Sequence, residues 1–148
     1  MWWVIGLGCT GGGGDGCALD AEPTLTLGYG VGGYTPIPDG GEFPLVHGPQ
    51  GGYHLELGLL ATGLDATNLV VGHVEGTLHG EPFASADPWL DFRCDDALGG
   101  LVSYGTRLIY DAQPSALDGQ PTEVTVEVAD PRGGTLTGAA EFTIRDDP

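Results

Sequence analysis

Lysine is absent from the 148-residue chain, and its cations are Arg93, Arg107, Arg132 and Arg145, set against 21 carboxylates for a formal net charge of -17. Without a basic stripe the chain cannot neutralise phosphates, which excludes nucleic acid as a partner. An anionic bilayer repels such a surface too, so any hold on a membrane must come from something other than the protein face. Catalytic signatures are also missing. Ser85, Ser103 and Ser115 lie in no Gly-x-Ser-x-Gly elbow, no His-Glu-x-x-His helix occurs, and no glycine-rich loop that would cradle phosphate opens a helix. The pairs Asp95-Asp96 and Asp146-Asp147 and the loop 111–118 lack the alternating ligands of an EF-hand and read as solvated turns with, at most, weak surface affinity for calcium. The expectation is a protein that is not an enzyme.

A helical apolar period is lacking as well: no window sustains it over three turns. What recurs is alternation with a period of two, interrupted by Gly, Pro and Asp, and it predicts strands at 24–29, 42–47, 53–62, 69–78, 89–93, 101–110, 122–129 and 135–144. Leu55, Leu57 and Leu59 share one face of a central strand, with His54 and Glu56 on the other. Val124, Val126 and Val128 point inward from the first arm of a terminal hairpin, whose turn is Asp130-Pro131-Arg132-Gly133-Gly134. About eight short antiparallel strands at this spacing fit an all-β, immunoglobulin-like β-sandwich, without the Cys, Trp and tyrosine-corner spacing of antibody domains.

The N-terminus has a different character. A short apolar run, Trp2-Trp3-Val4-Ile5-Gly6-Leu7-Gly8, ends at Cys9 and is followed by Thr10-Gly11-Gly12-Gly13-Gly14-Asp15-Gly16, glycines that build no core and behave as flexible coil. Leu7-Gly8-Cys9 resembles the lipobox of bacterial lipoproteins. The resemblance implies a signal peptide at 1–8, a lipidated N-terminal Cys9, and a Gly-rich tether over 9–22 leading to a single domain over 23–148, long enough for one core. The run is short and no Lys or Arg precedes it, as for a leader whose basic segment lies upstream of Met1. The competing reading is a buried N-terminal strand with Cys9 an ordinary thiol. Acyl chains contribute about 0.8 kcal/mol per buried methylene, so a multiply acylated Cys9 would be a lasting membrane anchor. Thr10 stands where many inner-membrane lipoproteins carry Asp, so the resemblance implies the outer membrane, facing the periplasm or the cell surface. With Cys9 lipidated, Cys17 and Cys94 remain as an even pair in an oxidising compartment, and a disulfide between them is expected.

Residues 38–55, Pro-Asp-Gly-Gly-Glu-Phe-Pro-Leu-Val-His-Gly-Pro-Gln-Gly-Gly-Tyr-His-Leu, resemble a signature of uncharacterised lipoproteins from myxobacteria and related deltaproteobacteria, in which a Gly-Pro-Gln-Gly-Gly-x-His turn joins the first two core strands. The resemblance implies envelope localisation and a β-sandwich and carries no activity. In physical terms Gly48, Pro49, Gln50, Gly51 and Gly52 form a compact turn, Pro49 fixing one φ and the glycines reaching conformations closed to other residues.

His47 and His54 flank that turn, and His73 and His79 read onto a later strand. Imidazoles suit Zn(II) or Cu(II), which makes His47, His54 and His73 candidate ligands of a transition metal. Against this, a histidine beside a turn is satisfied by hydrogen bonds to it, with no cofactor. His73 and His79, if both lay in one straight strand, would sit roughly 20 Å apart and could not share an ion. Two classes of function remain. One is an interaction or structural module that meets an envelope or extracellular protein through a sheet edge or through Tyr29, Tyr34, Phe43, Phe83 and Trp89. The other is a small-ligand binder, holding a metal on the histidines or a glycan on the aromatics. A solvent-facing row of aromatics favours glycan; buried aromatics beside a bare edge strand favour a protein partner.

Overall fold

The computed structural model describes residues 17–38 and 40–147. Cys9, the leader and most of the tether therefore lie outside the described residues. In chain order the elements are β1 (Thr24–Tyr29), β2 (Thr35–Pro36), β3 (Glu42–Pro44), β4 (Val46–His47), β5 (Tyr53–Thr62), β6 (Val70–Leu78), β7 (Glu81–Ala86), β8 (Trp89–Leu90), β9 (Arg93–Asp95), β10 (Gly100–Ile109), the single helical turn α1 (Pro114–Leu117), β11 (Pro121–Ala129) and β12 (Thr135–Arg145). One sheet runs β2-β1-β5-β10-β9 with β4 also on β5; the other runs β3-β12-β11-β6-β7 with β8 also on β6.

The eight principal strands reproduce the immunoglobulin-like order: β1-β5-β10-β9 in one layer and β7-β6-β11-β12 in the other. β3 joins β12 in parallel, whereas the other pairings are antiparallel. The segment 42–47, expected as one strand, divides at Leu45. Pro44 has no N–H to continue a ladder, and the buried Leu45 donates its amide to the Arg145 carbonyl at 2.7 Å while the chain changes sheets.

β7 was not anticipated, because Pro82 and the small residues around it mask its alternation. A two-residue turn makes it a hairpin arm of β6: His79 (φ 53°) and Gly80 (φ 76°) take the paired positive φ that suits the twist of a tight hairpin. His79 is thus a turn residue, which corrects its placement in a strand.

Leu55, Leu57, Leu59 and Ala61 of β5 meet Val124, Val126 and Val128 of β11 across the sandwich, all of them fully buried. Each such leucine contributes about 1.5–3 kcal/mol by leaving water. One chain of polar atoms enters this core fully satisfied. The Tyr110 hydroxyl donates to Thr122 Oγ1 at 2.7 Å, and Thr122 donates its own proton to the Thr77 carbonyl at 2.6 Å. Burial raises the Tyr110 pKa above its ordinary value. Cys17 and Cys94 are joined in a disulfide that pins the start of the domain to β9.

Candidate docking groove

The most distinctive surface forms where the chain crosses from one sheet to the other between β7 and β10. Two buried side chains, Leu90 and Phe92, hold the crossing to the core, and alternation then turns Trp89, Asp91 and Arg93 outward. Val71 pairs with Trp89 and Val70 with Leu90, and the Gly72 amide donates to the Pro88 carbonyl at 2.9 Å. A Cβ at Gly72 would meet Leu90 Cδ1 at 2.7 Å, so the glycine lets Leu90 settle directly over β6. The result is a firmly seated strand that presents a tryptophan with 69% of its surface in solvent.

Opposite Trp89 runs β10. It pairs with β5 along its length but with β9 only at Gly100, Leu101 and Val102. Gly105 interrupts the β5 pairing as a bulge, at φ 80°, and sends its amide to the Gly30 carbonyl at 3.0 Å. A period-two count without the bulge places Val102, Tyr104, Leu108 and Tyr110 on one face. The extra residue splits them: Leu108 and Tyr110 turn into the core, and Tyr104 turns out with 55% of its surface exposed. Between the two walls lies a groove of about 500 Å³, lined by Pro88, Trp89, Asp91 and Arg93 on one side and by every residue of 102–107 on the other.

Charge in the groove is unevenly matched. Asp91 and Arg93 satisfy each other at 2.6 Å. Arg132 pairs with Asp130 and Arg145 with Glu42. Arg107, among the described residues, is the one arginine with no carboxylate within 4.0 Å. Around the corner the same arginine and the exposed Ile109 border a second concavity of about 360 Å³ under the 48–52 turn. His54 lines it with Nε2 buried, unpartnered, and 3.5 Å from Glu56 Oε2.

The glycine turn itself is backbone-closed. Gly51 donates to the Gly48 carbonyl at 3.1 Å and Gly48 to the Gly52 carbonyl at 2.7 Å, with Pro49 and Gln50 at the bend and Gly51 at φ 86°. Residues 48–52 thus form the compact turn expected of them, bridging β4 and β5.

The candidate metal ligands do not converge. His47 binds Asp146 at 2.5 Å and lies edge-on to Tyr53; His54 faces Glu56; His73 is on the opposite sheet, between Asp87 at 2.6 Å and Glu75 at 3.3 Å. Those two carboxylates, Asp87 foremost, raise the His73 pKa above 6.5. Among the described residues the one set of three ligand atoms within mutual reach is Cys17, Cys94 and Asp96, and both sulfurs there are committed to the disulfide. The acidic turns have internal uses: Asp95 accepts the Leu98 amide, and Asp118 accepts the Asp146 amide, each at 3.0 Å.

The five aromatics do not make a row. Phe43 is buried against Tyr29 and Phe142, Tyr34 packs over Gly28 and Gly58, and Phe83 leans one face on Tyr110 while staying partly exposed, which leaves Trp89 as the most exposed ring of the set. Its groove partners are Tyr104 and Arg107, and strict alternation along the sequence hides the first because the bulge reverses its face. No family model matches the sequence, and no curated protein is significantly similar to it.

Proposed function

We propose that this chain is a lipid-anchored protein of the bacterial cell envelope, its β-sandwich a non-catalytic module that docks a partner protein at the Trp89–Tyr104 groove. The observation that carries the docking reading is the combination of an exposed, rigidly held tryptophan with a strand, β10, whose outer edge loses its neighbour after Val102. Rigid aromatic anchors in a concave setting are where binding energy concentrates. The anchor rests on the Leu7-Gly8-Cys9 segment and its glycine tether, and Thr10 favours the outer membrane. The Cys17–Cys94 disulfide fits an oxidising compartment. The net charge of -17 keeps the domain off an anionic bilayer and steers it toward basic or neutral partners.

Two measurements test this reading. Mass spectrometry of the protein extracted from native membranes should find a chain that begins at acylated Cys9; retention of Met1 with a free Cys9 thiol would overturn the anchor. A photo-crosslinking residue at position 89 in living cells should join the chain to a defined protein, and Tyr104→Ala should weaken that product. The same residue at 127, on the outer face of β11, should give none. Equal labelling from both positions would overturn the docking surface. Glycan binding lost in Trp89→Ala, without any protein crosslink, would replace this reading with the small-ligand one, for which the exposed Trp89 and Tyr104 rings are the observation in favour.

A further inference from the structure

We propose that the partner docks as an added β-strand: an extended segment of a second protein pairs with the free edge of β10 and sets a carboxylate on Arg107. The inference rests on the docking reading and specifies its mode and the chemistry of the segment.

The ladder shows which backbone groups are available. The Tyr110 amide bonds the Tyr53 carbonyl, so alternation turns Leu108 and Thr106 toward β5 as well. The amides and carbonyls of Arg107 and Ile109 therefore point away from β5. The β1 side of β5 agrees, because Gly30 donates to the carbonyl of Glu56, the residue opposite Arg107, which turns the backbone groups of Glu56 away from β10. On the outer side β9 stops at Arg93, opposite Val102, and among the described residues no strand is hydrogen-bonded to 103–109 in its place, β7 of the facing sheet coming near β10 without pairing with it. The groove is lined by consecutive residues of β10, both inward and outward ones. That lining is the signature of a strand seen edge-on, whereas a sheet face would expose alternate residues.

The missing stretch has the length of a strand. Five residues from 103 to 107 extend about 16 Å, and seven to 109 about 23 Å. A segment laid there would continue the line of β9, antiparallel to β10. Its side chains would meet Trp89 and Tyr104, and Arg107 would gain the carboxylate it lacks. A second copy of the chain fits less well. β10 has no acidic residue of its own, so two β10 edges paired together leave each Arg107 without a counterion, and two bodies of charge -17 repel. A free main-chain edge beside a pocket for alternate side chains is the requirement for recognition by strand addition.

The test uses heptapeptides selected from a displayed random library against the full chain in detergent micelles. The expected peptides alternate, carry an Asp or Glu, and bind in a way that Trp89→Ala abolishes. On binding, hydrogen exchange at the Arg107 and Ile109 amides should slow by at least about tenfold, the effect of one good main-chain bond. Peptides N-methylated on the pairing register should lose a similar factor, and those methylated on the other register should bind unchanged. Arg107→Glu should shift selection from acidic to basic peptides, independently of any effect on folding. Peptides that depend on Trp89 yet leave both amides exchanging freely would overturn strand addition and keep the docking groove. A library that yields no Trp89-dependent binder would overturn both. Protection of these amides in the protein alone, rising with its concentration, would assign the edge to self-pairing and overturn the proposal of a second protein.

Discussion

Removing the Cys17–Cys94 disulfide should cost this domain about as much as truncating a large core side chain, although it sits at one edge. The two cysteines are 77 residues apart. In the unfolded chain the bond closes a loop of that length, and the chain-entropy relation gives about 4.5 kcal/mol for its removal. At about 3–4 °C per kcal/mol for a domain of this size, that corresponds to a fall of about 15 °C in Tm. The full loss is expected because the segment entering β1 keeps other native contacts that hold it in place without the bond: the Arg132 guanidinium donates to the Leu19 carbonyl at 2.9 Å and Thr62 Oγ1 donates to the Glu22 carbonyl. The assay is a calorimetric melt of the oxidised protein beside the reduced protein and the Cys17→Ser/Cys94→Ser variant, which should coincide. A fall below about 3 °C would refute the reasoning, because it would mean that the bond tethers only a fraying end and does not constrain the unfolded ensemble.

Four further outcomes follow from the packing and the ion pairs. Arg132 donates to Asp130 and to the Leu19 and Gly63 carbonyls, so Arg132→Ala leaves the Asp130 carboxylate without its partner and should lower the urea unfolding midpoint. Arg132 also lowers the Asp130 pKa from its ordinary 3.8; that stability is present above the unfolded value and is lost as pH falls through the folded one, a dependence Asp130→Asn should remove. A Cβ at Gly76 would lie 2.2 Å from the Tyr110 hydroxyl, so Gly76→Ala should destabilise by about 1–3 kcal/mol. Tyr110→Phe should recover part of that loss, and strict additivity in the double-mutant cycle would contradict the clash. His73 should titrate above 6.5 by NMR and move down in Asp87→Asn. Its folded pKa is the raised one, so its small contribution is complete below 6.5 and disappears as pH rises through the folded value.

The strand pattern was legible where alternation met a single buried face. β1, β5, β11 and β12 fall close to their expected positions because their leucines and valines must leave water on one side. The terminal hairpin announced itself through Pro131 and the two glycines after it. The division at Leu45, the β7 arm and the one-turn α1 were not legible, since each depends on what the chain meets in space. Pro44 is compatible with one strand or two, and only the competing edges of β5 and β12 divide it. The Cys17–Cys94 pair was expected on the reading that sets Cys9 aside as a lipid attachment site, while the histidine set was not assembled, because spacing along the chain says nothing about which sheet each strand joins.

By itself the sequence determined the class of fold, the facing of the central strands and the compact 48–52 turn. These follow from hydrophobic period and turn chemistry, quantities local in the chain. The groove was decided by tertiary structure alone. One glycine with positive φ at 105 shifts the parity of β10, and one short strand, β9, leaves its edge open. Neither event changes the composition of any segment, yet together they bring Trp89, Tyr104 and the unpaired Arg107 to one surface. Such a site exists only once two sheets have registered against each other, because its walls come from strands that meet through the chain's crossing between layers.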